Sequence, residues 1–152
     1  MKNTTLVYIE KDGKYLMLHR TKKQQDPNAG KWIGVGGHFE ENETSVECAL
    51  REVKEETNLT LTKYRFRGIV TFISDEYETE YMHLFTATEF EGELSDCDEG
   101  ELKWIEKDKI LDLNLWEGDK VFLKYLLEDE EEFFLKLEYE GDKLVKCTRE
   151  LS

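Results

Sequence analysis

Two short β-type apolar runs, residues 6–9 and 15–19, flank the turn signal Lys11-Asp12-Gly13, and this spacing predicts a hairpin. Residues 32–37 form an aromatic stretch punctuated by glycine, consistent with a short strand that ends where backbone must approach another group closely. The strongest helical pattern covers residues 44–57. Thr44, with Glu47 three positions on, reads as a capping box, and Val46, Ala49, Leu50 and Val53 fall at i, i+3, i+4 and i+7 on one face. Asn58 followed by Leu59 predicts a left-handed stop with an apolar residue behind it.

Further along, residues 66–74 and 80–90 are long β-rich segments, and residues 101–105 predict one more short strand. Residues 115–127 read as a helix whose apolar positions are Val121, Phe122, Tyr125 and Leu126. Residues 133–139 and 143–147, joined by Glu140-Gly141-Asp142, predict a terminal hairpin. The single proline, Pro27, falls in a loop over residues 22–31. No repeat or long linker divides the chain. Residues 1–152 are therefore expected to form one domain, a mixed sheet with two main helices in one α/β layer structure.

Composition narrows the class. A chain of 152 residues can bury roughly two-thirds of its unfolded surface, and 39% hydrophobic with 12% aromatic residues argues against disorder. No apolar run approaches the roughly 20 residues needed to span a bilayer, and the N-terminus lacks a signal-peptide pattern, so a cytoplasmic protein without a membrane partner is expected. Cys48, Cys97 and Cys147 are widely spaced and odd in number. They read as free thiols in a reducing compartment, not as a disulfide framework or a zinc site. The 35 acidic and 21 basic side chains leave a net charge of −14, which argues against a nucleic acid polymer as partner because phosphate backbones need a basic face. Small phosphates stay open if a divalent cation bridges the like charges. The acidic run Glu128-Asp129-Glu130-Glu131-Glu132 reads as a solvated turn between the last helix and the terminal hairpin.

The first helix carries the candidate chemistry. At about 100° per residue, Glu52, Glu55 and Glu56 share one arc about 100° wide, opposite the apolar stripe. Like charges at i, i+4 cost helix stability, so either solvent or a cation must relieve the crowding. Gly34-Val35-Gly36-Gly37 brings flexible backbone to the start of this segment, able to offer a carbonyl oxygen. Carboxylates, carbonyls and water are the ligands that hard divalent cations take.

The stretch from Gly37 to Leu59 resembles the Nudix box, G-x5-E-x7-R-E-U-x-E-E-x-G-U, where U is aliphatic. Gly37, Glu43, Arg51, Glu52, Val53, Glu55, Glu56 and Leu59 match, and Asn58 stands at the box glycine. Asparagine tolerates the left-handed conformation next best after glycine, so this departure is mild. The resemblance implies a Nudix-type α/β/α sandwich with a mixed β-sheet. It implies Mg²⁺, with Mn²⁺ as the alternative, held by Glu52, Glu55, Glu56 and the Gly37 carbonyl, and a brace between Arg51 and Glu43. The reaction implied is hydrolysis of a nucleoside diphosphate linked to another moiety, by in-line attack of water on phosphorus. Arg51, Glu52, Glu55, Glu56 and Glu99 are the implied catalytic residues. Glu99 would serve as a further metal ligand or as the base, with Glu93, Asp96, Asp98 and Glu101 as competitors for that role.

The likeness extends over nearly the whole chain to the MutT/MutX type, the oxidised-purine nucleoside triphosphatases. It is carried by Ala29-Gly30-Lys31-Trp32, Leu16-Met17-Leu18-His19-Arg20, Gly68-Ile69-Val70-Thr71-Phe72, Trp104-Ile105, Trp116-Glu117-Gly118-Asp119 and Thr148-Arg149-Glu150. In such a pocket Trp116 can stack on a purine and Asp119 can hydrogen-bond its edge. Phe72 and Ile33 would line it, and Lys23 would meet phosphate or sugar. Two positions depart from the animal enzymes, which place asparagine at Ile33 and two adjacent acids at Gly118-Asp119. The expected partner is a small-molecule nucleotide, and the expected state a monomer or homodimer. A dinucleoside polyphosphate hydrolase, using Tyr77, and a non-catalytic nucleotide sensor are the alternatives.

Overall fold

The computed structural model describes residues 1–21 and 26–150, so Lys23 lies outside the described residues. The elements run β1 (Lys2–Lys11), β2 (Lys14–His19), β3 (Trp32–Ile33), α1 (Ser45–Thr57), β4 (Thr60–Ser74), β5 (Glu80–Glu91), β6 (Glu101–Glu106), a 3-10 helix (Lys107–Asp112), α2 (Glu117–Leu127), β7 (Phe133–Glu140) and β8 (Lys143–Glu150). The strands join in the order β3-β2-β1-β5-β4-β7-β8, with β6 also paired to β2. β1 lies parallel to β5 and β4 parallel to β7, while the other pairs are antiparallel. This is the mixed sheet expected. No helix among the described residues is long and apolar enough to cross a membrane.

β1 shows how the layers form. Leu6 and Tyr8 pack with Phe122, Leu123 and Leu126 of α2 on one face. The alternate residues Val7 and Ile9 pack with Ala49 and Val53 of α1 on the other. Because successive strand side chains point to opposite faces, the sheet is covered on both sides by one main helix each. The result is an α/β/α sandwich.

The first helix begins and ends as its sequence predicts. Thr44 Oγ1 accepts the Glu47 N–H at 3.1 Å, and Glu47 Oε1 accepts the Thr44 N–H at 3.0 Å. Asn58 is left-handed at φ 69°, and its N–H closes on the Lys54 carbonyl. Its side chain adds a bond that glycine would lack, from Nδ2 to the Glu93 carbonyl at 3.1 Å. Alanine at this position keeps the backbone strain and loses that bond. Asn58→Ala should therefore destabilise the fold by about 1–2 kcal/mol, read as a lower melting temperature with activity per folded molecule unchanged.

Several boundaries differ from the pattern reading: β1 begins at Lys2 and β8 runs on to Glu150, and three further differences have a local cause. The strand expected over 32–37 closes at Ile33. Beyond it the glycine segment follows β1 through isolated bridges, Val7 with Val35 and Thr4 with His38, so close that a Cβ on Gly36 would sit 2.0 Å from the Thr5 carbonyl oxygen. β4 starts six residues before the expected Phe66, because its irregular pairings with β5 break the alternation that marks a strand. α2 starts at Glu117, with Trp116 extended at its N-cap and Leu115 buried before it.

Candidate active site

The capping box and the left-handed stop fix where α1 begins and ends, and with them which of its acids meet the glycine segment. A cleft of about 640 Å³ opens there, lined by Gly36, Gly37, Glu52, Glu56 and Glu99 at one end and by Phe72, Trp116 and Asp119 at the other. Ile33 also lines it. The structure thus brings together nearly all the residues the sequence singles out. Glu55 and Arg51 do not line the cleft: the Glu55 side chain is 57% exposed and pairs with Arg51 at 3.2 Å. Along the helix Glu55 stands at one end of the acid arc and Glu56 at the other, so only part of the arc faces the cleft.

Arg51 organises the junction. Its guanidinium forks onto Glu43, with Nε to Oε2 at 2.5 Å and Nη2 to Oε1 at 2.9 Å, and reaches the His38 carbonyl at 3.0 Å. The expected brace is present. Hydrogen bonding to Arg51 holds Glu43 down to about 2, with the Glu40 N–H assisting. The same guanidinium extends Nη1 to Glu52 at 2.8 Å. Gly37 lies against this carboxylate, where a Cβ would stand 2.5 Å from Glu52 Cδ. Gly37→Ala should therefore displace the Glu52 carboxylate and lower kcat at least tenfold, while the melting temperature stays within a few degrees of wild type. Full activity in that variant would remove Glu52 from the site.

The two acids of α1 that face the cleft are stressed. Burial raises Glu56 to about 9, helped by the charges of Glu99 and Glu52 and opposed by the Gly36 N–H at 3.4 Å and by Arg20. Burial also raises Glu52, against the pull of Arg51. Crowded carboxylates that resist ionisation are what a divalent cation relieves, so the donor chemistry suits one. Among the described residues, no three acid, histidine or cysteine side chains converge on one point as they stand. The Gly37 carbonyl already accepts the Thr5 N–H at 2.9 Å and lies 3.6 Å from Cys48 Sγ. The thiol contact is a weak hydrogen bond donated to the second lone pair, which a cation at this oxygen would have to displace.

Arg20, which the sequence presents only as the end of a matching segment, joins the site. It sits between Asp26, at 2.5 Å, and Glu99, at 2.9 Å, and its side chain is only 15% exposed. Pattern offers no sign of it, since an arginine ending a strand looks like any surface cation. At the other end of the cleft, Trp116 Nε1 donates to Asn28 Oδ1 at 2.7 Å, and Lys31 lies 5.1 Å from its ring centre. Tyr139, also unforeseen, meets Trp116 edge to face, and its hydroxyl accepts the Gly118 N–H at 2.7 Å. Gly118 permits this contact, because a Cβ there would lie 2.6 Å from the Tyr139 hydroxyl. Asp119 is buried, and burial raises it to about 7, with Glu80 adding to the shift and Lys31 opposing it.

The NUDIX domain pattern matches residues 2–126. The chain is 33% identical over 125 residues to the oxidized purine nucleoside triphosphate hydrolase of Danio rerio, covering 82% of this chain and 78% of that protein. It is 29% identical over 132 residues to the uncharacterized Nudix hydrolase YvcI of Bacillus subtilis (strain 168), covering 84% of this chain and 80% of that protein. The crystal structure of the MutT mutator protein from Bacillus halodurans superposes with a TM-score of 0.89 at 28% identity, covering 98% of this chain and 97% of that one.

Proposed function

Because the chain belongs to the Nudix family of hydrolases, we propose that it is a Mg²⁺-dependent nucleoside triphosphate pyrophosphohydrolase acting on oxidised purine nucleotides such as 8-oxo-dGTP. Water adds to phosphorus, the phosphoanhydride bond breaks, and the products are the nucleoside monophosphate and pyrophosphate. Nudix hydrolases act on small nucleotides and generally use a divalent metal. The observation that carries the reading is the shared cleft, with acids at one end and an aromatic, acid-tipped wall at the other.

In this reading Glu52, Glu56 and the Gly37 carbonyl would hold the cation, and Glu55 would join them only if Arg51 released it. When bound, the cation neutralises phosphate oxygens and lowers the pKa of a coordinated water. Arg51 keeps the glycine segment and α1 in register. Glu99, held on the cleft wall by Arg20, takes the proton from the attacking water. Trp116 stacks on the base, Asp119 bonds its edge, and Phe72 and Ile33 close the sides. Lys23 would meet the phosphates or sugar.

A panel of 8-oxo-dGTP, dGTP, dATP, a diadenosine polyphosphate and ADP-ribose with Mg²⁺ tests this. The expected result is the highest kcat/KM on 8-oxo-dGTP, with pyrophosphate released. A second reading has an observation of its own: Tyr77 lines the same cleft and is 54% exposed, available to stack on a second nucleoside. Preference for the diadenosine polyphosphate would support that reading and defeat the first.

A further inference from the structure

We propose that Glu80 is a specificity-determining residue, forming with Asp119 a two-acid receptor for an oxopurine edge that presents a carbonyl oxygen beside an N–H. This rests on the functional reading above and deepens its base site. Glu80 opens β5 and lies across from Phe72 on β4 and Lys2 on β1, and it lines the same cleft as Phe72, Trp116 and Asp119. Its carboxylate is held in place. Thr4 Oγ1 donates to Oε2 at 2.7 Å, and Lys2 Nζ stands 3.7 Å from Oε1. Two carboxyl groups thus line one cleft. The anchored one, Glu80, serves as acceptor. Asp119, buried and near Glu80, keeps its proton up to about 7 and serves as donor. One donor beside one acceptor matches a lactam edge, where a carbonyl oxygen adjoins an N–H. The other titratable groups that interact with Asp119 are Lys31, which favours its charged form, and the buried Tyr8 and half-buried Tyr139, whose hydroxyls are pushed up by burial first and by Asp119 in addition.

The test compares 8-oxo-dGTP with the deoxynucleoside triphosphate of unsubstituted purine, which has the same ring and phosphates but no lactam. The ratio of their kcat/KM values, followed from pH 5.5 to 8, cancels titration of the phosphates and of the metal end. In wild type the ratio should fall as pH rises through about 7, when Asp119 loses its donor proton. Glu80→Gln should lower the ratio about tenfold at pH 6 and move its inflection to lower pH, because the like charge is gone. Thr4→Val, which only frees Glu80, should move both in the same direction by less. Asp119→Asn keeps a donor and cannot ionise, so its ratio should be flat. Calorimetric binding of the two monophosphates gives the same ratio without turnover, and so tests the pair even if no triphosphate is hydrolysed. A wild-type ratio independent of pH, or a Glu80→Gln profile that overlays wild type, would overturn the pair. Loss of hydrolysis on the whole panel with the binding ratio intact would overturn the functional reading alone.

Discussion

Replacing Glu56 by glutamine should cut kcat about 10³-fold or more and at the same time make the metal-free protein more stable above neutral pH. The two effects share one cause. Glu56 is held in a half-buried position beside Glu52 and Glu99, where loss of solvation raises its carboxyl from 4.5 to about 9. Between those two values the native state binds a proton that the unfolded chain has released. The stability of the metal-free protein therefore falls as pH rises from about 4.5 towards 9, and is not lost in acid on this account. Glutamine has nearly the same shape and never ionises, so it removes that slope. At pH 8 the variant should exceed wild type by an amount on the order of a few kcal/mol, or several degrees in melting temperature, while near pH 4 the two should coincide. Added Mg²⁺ should raise the wild-type melting temperature and leave the variant's nearly unmoved. Parallel pH profiles for the two proteins would show that Glu56 is not the stressed acid, and near-normal turnover would remove it from the metal set.

Much of this was legible in the residues, for reasons that can be named. The capping box at Thr44 and the stop at Asn58 are local chemistry, decided by neighbours three or four positions away, and both form as their sequence predicts. The apolar stripe of α1 is local too. What pattern could not convey were contacts between distant segments. Arg20 meets Glu99 across 79 positions, and Tyr139 meets Gly118 across 21. Glu80 looks like the polar start of an alternating strand until β1 and β4 are laid beside it. The acid arc shows the limit from the other side. Helical spacing puts Glu55 with Glu52 and Glu56, but an arc of about 100° is wider than the cleft that α1 faces. Its far end turns to solvent, where Arg51 takes it.

Asp119→Ala should lower kcat/KM on oxidised purine triphosphates about 10²-fold and on the unsubstituted-purine triphosphate by much less. A buried site built to bond a polar edge discriminates strongly, because the edge left without its partner has already given up water. Asp119 meets that condition. It is 5% exposed, at the first turn of α2 beside Trp116, and the cleft it lines contains the aromatic wall that would hold a purine in register. The same burial has a cost that the variant reveals. With its carboxyl raised from 3.8 to about 7, Asp119 makes the native state bind an extra proton between those values, so the unliganded protein loses stability as pH climbs through that window. Alanine abolishes the loss. The variant should melt at or above the wild-type temperature at pH 8, having given up its selectivity. A buried acid kept for folding would behave in the opposite way, losing stability and activity together and on every substrate alike. Melting curves at pH 5 and 8, set beside kcat/KM for the two purines, therefore separate an acid retained for the base it reads from one retained for the core.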